Sequence, residues 1–266
     1  MKKIYYITAV FATLFLVGCG DGIDLPGVNV ETDLNKIPLP DNNVNLEQVE
    51  LKPSTEPMLH EGLHTEEDFQ RIRDKKAAGE EPWVSAYQLL VESQFSQKTA
   101  DTYPTEWIKR GISGDENYMN AARGATIVYQ QALRWKIEQD DEYAAKAVEN
   151  LNKWVQTCVG VTGNTNLSLA AGLYGYEFAI AGELLRDYGG WDRADFAAFQ
   201  NWLLKVFYPA NDDFLKRHHD TNALHYWANW CLCNIAAKMA IGIVTDRRDI
   251  YNEGIAHLQT GDTNGR

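Results

Sequence analysis

From about residue 58 onward the apolar positions recur at helical spacing. Ala121, Ala122, Ala125, Val128, Tyr129, Ala132 and Leu133 follow one another at short helical steps, and Ala144, Ala147, Val148, Leu151, Trp154 and Val155 repeat the pattern. Such stripes mark amphipathic helices with one buried face. Thr65 with Asp68 makes a capping-box start for a helix through about residue 78, and a second helix is predicted over 82–97. Further helices are predicted over 167–187, over 193–207 with Phe196, Phe199, Trp202, Leu203 and Phe207, over 222–243 and over 247–259. Convincing period-two alternation is absent, so no strands are expected. Short connections such as "EQDDE" and "DYGGWD" join the helices into antiparallel hairpins, about four in number and spaced by roughly 50 residues. The expected fold class is all-α. Such hairpins either stack as an open solenoid or curl into an α/α toroid; Ala-rich inner faces suit the toroid, and periodicity alone does not decide.

The chain start has a different character. Lys2 and Lys3, the apolar run "IYYITAVFATLFLV" and then "LVGC" spell a lipoprotein signal over 1–18, with Cys19 as the acylated residue. The run is shorter than the roughly 20 residues of a spanning helix. The expectation is an exported lipoprotein of the periplasm or outer membrane that touches the membrane through its lipid anchor only. Residues 19–57, rich in Asn, Asp and Pro, read as a flexible tether to a domain over 58–266. With 266 residues, 45% of them hydrophobic, the chain can bury a sizeable core. Its net charge of -12 argues against nucleic acid as a partner. Cys158, Cys231 and Cys233 give neither a disulfide framework nor a zinc spacing. No metal or other cofactor is expected.

The candidate chemistry lies in "HHDTNALHYWANWCLCN", residues 218–234. On a helix beginning near Thr221, Asn222, His225, Tyr226 and Asn229 share an arc of about 100°, so their side chains converge on one cleft. His219 joins from the preceding loop, and Trp227 and Trp230 serve either the core or a sugar-stacking platform. "GNTN", residues 163–166, precedes a helix carrying Tyr174, Tyr176 and Glu177; it places Asn164 or Asn166 either at the cleft rim or in an N-cap. Arg110, Arg123 and Arg134 are candidates for holding a carboxylate, Arg123 foremost because small residues surround it.

Several segments carry a resemblance: "RWKIEQDDEYAAKAVENLNKWV", "GLYGYEFAIAGELLRDYGGWD", "FYPANDDFL" and "HYWANWCLCNIAAKMAIGIVTDRRDIYNEGI". Together, over about residues 60–266, they resemble the alginate-lyase-like family of polysaccharide lyases, especially its exported Bacteroidetes-type members. The resemblance implies an α/α toroid whose cleft binds an anionic uronic-acid polysaccharide and cleaves it by β-elimination. That chemistry needs a neutralised carboxylate, a base for the C5 proton and an acid for the leaving oxygen, without metal or nucleotide. It points to Asn229 or Asn222 as neutraliser, His225 as base or co-neutraliser and Tyr226 as an acid. The spelling Asn-Ala-Leu-His departs from the contiguous Asn-Asn-His of some relatives, which leaves the Asn assignment open. Relatives continue with further hairpins bearing a catalytic Tyr and basic residues, whereas this sequence stops at "HLQTGDTNGR". The expectation is therefore a C-terminally truncated product, inactive and poorly soluble. Two rival functions are a glycan-binding lipoprotein and an α/α-toroid glycoside hydrolase with carboxylates such as Glu177 and Asp220.

Overall fold

The computed structural model describes residues 58, 60, 62–221, 223–226 and 228–260. The expected signal, Cys19, the whole tether, Asn222 and Trp227 lie outside the described residues. In chain order the elements are α1 (Glu66–Ala77), α2 (Trp83–Glu92), β1 (Trp107–Arg110), α3 (Tyr118–Glu138), α4 (Asp141–Thr157), β2 (Gly160–Gly163), α5 (Asn166–Leu184), α6 (Arg193–Val206), α7 (Tyr208–Arg217), α8 (Asn229–Val244) and α9 (Arg248–Thr260). The fold is all-α. The expectation of no strands is corrected only by the short parallel pair β1–β2, in which Trp107 faces Gly160 and Arg110 faces Gly163.

Local chemistry sets the helix ends. Thr65 Oγ1 accepts from the Asp68 backbone N–H at 3.1 Å while Asp68 Oδ2 accepts from that of Thr65 at 3.0 Å, the full capping box. Asp140 and Asp192 cap α4 and α6 by accepting from the N–H groups of Glu142 and Ala194. The predicted 82–97 helix stops at Glu92, because Ser93 adopts extended backbone and its hydroxyl accepts from Phe95 N–H, starting a 3₁₀ turn over Gln94–Ser96. α7 is an unexpected helix; Pro209 sits in its first turn, where the missing N–H leaves no bond unmade.

The helices form two layers. α3, α5 and α8 pack side by side, and α4, α6, α7 and α9 back them. α5 is enclosed on nearly all sides, which is why its sequence lacks a polar face. Phe178 of α5 meets Trp154 at 5.4 Å and Trp202 at 5.3 Å between ring centres. Gly182 lets the Phe199 ring in, since a Cβ there would lie 2.2 Å from it.

The order of layers fixes helix direction. α3 and α4 are joined by two residues, Gln139 adopting the left-handed conformation, so they run antiparallel. At one end of the α5–α8 contact, Gly172 abuts Cys233 and Asn234. At the other, Arg186 donates to the carbonyls of Ile243 and Val244 at 3.3 and 2.8 Å. α5 and α8 are thus parallel, with their N-termini at the same end. β1 and β2, themselves parallel, lead into the N-terminal ends of α3 and α5.

The predicted 222–243 helix is corrected. His218, His219 and Asp220 have φ of 47°, 55° and 58°, a 3₁₀ turn spans Ala223–Tyr226, Ala228 sits at φ 61° and ψ -100°, and α8 begins only at Asn229. The single helical face expected to carry His225, Tyr226 and Asn229 is therefore absent among the described residues. Backbone so far from helical values persists only where surrounding contacts over-determine it. Those contacts are a hydrogen bond between His219 and Ser168 on α5 and the packing of His218, His219 and Tyr226 around Phe214 of α7.

Candidate active site

One half of the site is built on β1, β2 and the start of α5. Gly163 has φ 146°, and a Cβ there would lie 1.7 Å from the Arg110 carbonyl oxygen. Only glycine permits this approach. Asn164 Oδ1 accepts from the backbone N–H and the side-chain Nδ2 of Asn166, both at 2.9 Å, so these two residues shape the entry to α5. Arg110, at the strand end, donates from Nη1 to Tyr174 Oη at 3.4 Å, and its guanidinium lies 4.6 Å from the centre of the Tyr118 ring. Among the described residues no carboxylate comes within ion-pair distance of it. A guanidinium held by two tyrosines, beside the N-terminal ends of α3 and α5, suits an anionic ligand.

Gly163→Ala is expected to break this arrangement. The new methyl must displace β1, with a loss of about 1–3 kcal/mol typical of overpacking. Chemical denaturation reads the loss, and unchanged stability would show that the strand pair yields freely.

The other half lies between α7 and α8. Ser168 Oγ and His219 Nε2 are 3.1 Å apart, which ties this loop to the first turn of α5. His219 packs on Phe214 and Tyr226, each at 5.4 Å, and Tyr226 in turn packs on Trp230 at 4.8 Å. Tyr226 is buried, whereas His225 and Asn229 are exposed and half-buried Trp230 keeps some surface. His225 makes no hydrogen bond among the described residues and sits edge-on to the Tyr226 ring at 4.7 Å. His218 Nε2 lies 3.3 Å from Cys231 Sγ, which is buried, and Cys233 faces Gly172.

The structure thus brings His219, His225, Tyr226 and Trp230 into one aromatic cluster, with Asn229 at the start of α8. It separates the three arginines. Arg134 is buried and bonded to Glu138, Ser96 and Tyr143, a structural role. Arg123 is exposed, with neither hydrogen bond nor ion pair among the described residues. Arg110 is the arginine that the fold positions. The sequence signal that points to it is Gly111 beside it: a Cβ at Gly111 would meet the Asn164 side chain at 1.8 Å, so the two loops were built to touch. Asp220 is exposed and paired with Arg217 at 2.6 Å, which leaves it ill placed as a hydrolytic carboxylate.

Further along the faces of α3 and α5 lies a second group of titratable side chains. Thr126 Oγ1 donates to Glu177 Oε1 at 3.1 Å. Tyr129 is next along α3, and its hydroxyl lies 2.6 Å from His64 Nε2. Burial lowers the His64 imidazole, pushes the Tyr129 phenol up and raises that of Tyr176 to about 12. It raises the Glu177 carboxyl to about 8, against which only the Thr126 bond works. Burial thus favours the neutral form of the Glu177 carboxyl. Beyond it, toward the C-terminal ends of α5 and α8, a cavity of about 570 Å³ is lined by His60, His64, Phe69, Tyr176, Ile180 and Met239 among others. Among the described residues no cluster of His, Cys, Asp or Glu is placed to hold a metal, and no helix is long and apolar enough to cross a membrane.

Paired helices in two layers, with a cation, amides, histidines and aromatic rings near the starts of α5 and α8, define an all-α protein. Residues 72–266 match the family model described as alginate lyase, and the chain belongs to that family. A search of curated proteins gives no match. Membership supports a lyase acting on polysaccharides.

Proposed function

We propose that the protein is a lyase that cleaves a uronic-acid polysaccharide, alginate or a related uronan, by β-elimination at the end of the fold where α3, α5 and α8 begin. The observation that carries this reading is Arg110, held by Tyr174 and Tyr118 without a carboxylate partner, on the same helix layer as the His219–Ser168 contact. A polyanion meets an opposing net charge of -12 over the whole chain, so it needs such a local cation and the positive ends of helices. His225, exposed on its 3₁₀ turn, takes the C5 proton, and the imidazolium so formed returns it to the C4 oxygen, which leaves as a hydroxyl as the C4–C5 double bond forms. The Asn229 amide, also exposed, stabilises the charge that develops on the substrate carboxylate. His219 and Tyr226 position this turn, and Trp230 offers a face to a sugar ring. The helix layers curl into the α/α toroid that the family implies, and the chain is exported as a lipoprotein through Cys19.

The test is the ultraviolet absorbance of a C4–C5 unsaturated uronate on incubation with alginate. Appearance of that product supports elimination. Reducing ends released without it would favour hydrolysis, and binding without either would favour a glycan-binding role.

A further inference from the structure

We propose that the chain over residues 58–69 makes the substrate groove blind, so that the enzyme takes a uronan by its chain end and releases a short product of one length. The proposal rests on the lyase reading and extends it to the mode of attack. Three parallel helices form the floor of the groove. α5 and α8 begin at the same end, and α3 runs with them, since Thr126 meets Glu177 while Lys136 and Asp187, further along the chain from each, line one cavity. Each helix carries an incompletely covered stripe at steps of three and four. On α8 it is Asn229, Leu232, Ala236, Met239 and Ile243, the first two exposed and the others half-buried. On α5 it is Leu173, Tyr176, Ile180 and Glu183, and on α3 Thr126, Tyr129, Leu133 and Lys136. The last members, Ile243, Glu183 and Lys136, all line the cavity of about 570 Å³, so the three stripes share one side of the layer. The α8 stripe therefore leads from Asn229 into that cavity, about 10 Å along the helix to Ala236 and about 21 Å to Ile243.

The far end of this groove is barred. Met58 Sδ lies 3.9 Å from Arg248 Nη1 at the start of α9. His60 sets one ring nitrogen 3.1 Å from Glu183 Oε1 and the other 3.1 Å from Asp246 Oδ1. His64 Nε2 reaches the Tyr129 hydroxyl at 2.6 Å, and Arg73 of α1 donates to the Lys136 carbonyl at 2.8 Å. The segment thus passes from the α8–α9 turn, over the end of α5, to α3. The cavity lies between this bar and the helices, with Leu63, His64 and Phe69 on the side of the bar. Its helix side is mostly apolar, with Ile180, Ala236, Met239 and Ile243. Around it Glu66, Glu67, Glu183 and Asp187 outnumber Lys136 and Arg186, and both cations already face carboxylates. A polyanion that lies along the stripes from Asn229 therefore meets a steric stop and a repulsive one together. The stretch left to it between Asn229 and the cavity, about 10 Å, accommodates only a short end of the polymer.

The experiment uses the full chain on long alginate and follows solution viscosity together with the length of the unsaturated products. The expected result is one short product length from the earliest time, with viscosity falling only in proportion to the product formed. His60→Ala with His64→Ala unties the bar from α5 and α3, and should release mixed lengths with an early loss of viscosity. Circular dichroism checks its fold; if the pair unfolds, His60→Ala alone, at an exposed residue, carries the comparison. Mixed lengths and early viscosity loss from the wild-type chain overturn the proposal alone. So does a folded variant that keeps the single product length. No unsaturated product from the wild-type chain overturns the lyase reading together with it.

Discussion

His225→Ala is expected to lower the rate of unsaturated-product formation on alginate by about 10²- to 10⁴-fold, the usual contribution of a positioned base. The fold should not suffer. His225 is exposed and, among the described residues, makes no hydrogen bond and a single ring contact, perpendicular to Tyr226; surface changes of this kind cost about 0.5 kcal/mol or less. His219→Ala is the informative contrast. It removes the tie to Ser168 and two ring contacts, so it should lower both stability and rate. Initial rates and a denaturation curve for each variant separate the two roles. If His225→Ala keeps its rate within about threefold, the base lies elsewhere.

Lys238→Ala is expected to cost about 3–5 kcal/mol of stability, the range for breaking a buried ion pair. Lys238 is 1% exposed and reaches Asp212 of α7 and Glu253 of α9, each at 2.7 Å, from the middle of α8. Burial alone would raise the Asp212 carboxyl, yet Lys238 and Lys216 hold it below the usual carboxylate range. A depressed carboxyl contributes stability that is present above its unfolded value of 3.8 and lost as pH falls through its lower folded value. Without Lys238, Asp212 keeps only Lys216 and Glu253 loses its ion-pair partner, so the two carboxylates repel and protonation then relieves them. The gap between variant and wild type should therefore narrow on acidification below about pH 5. Urea midpoints across pH measure it, and a gap that is small or independent of pH would show that water replaces the lysine. Adding Asp212→Asn and Glu253→Gln should recover much of the loss, because the uncompensated charges are then gone.

How far the chain is legible without its fold differs element by element. α1 and α3 to α6 follow from stripes and caps that act within a few residues: the Thr65–Asp68 box and the alanine stripe of α3 work in any context. α7 is not legible in the sequence because "FYPANDD" carries a proline and two aspartates, residues that read as a turn until Phe214 and Leu215 are buried against α8. β1 and β2 are too short to show alternation, and each exists only through the other. The break before α8 has no Gly or Pro to announce it. His218, His219, Asp220 and Ala228 take left-handed backbone because contacts with α5 and α7 hold them there.

The same division runs through the site. Residue types that suit uronate chemistry, and the family they belong to, are written in the chain, since the His, Asn, Tyr and Trp groups keep their functional atoms wherever they lie. Which of them meet is a tertiary matter. Arg110 gains its place over Arg123 from a strand pair formed by segments some fifty residues apart in sequence, closed around two glycines that no side chain could replace. The Glu177 carboxyl is raised only by the burial that α3 and α5 create together, with Thr126 donating to it across that contact. Local sequence sets propensity and capping through bonds that span one helical turn; proximity and desolvation arise from segments far apart, and here they decide which of these groups meet and which are shielded from water.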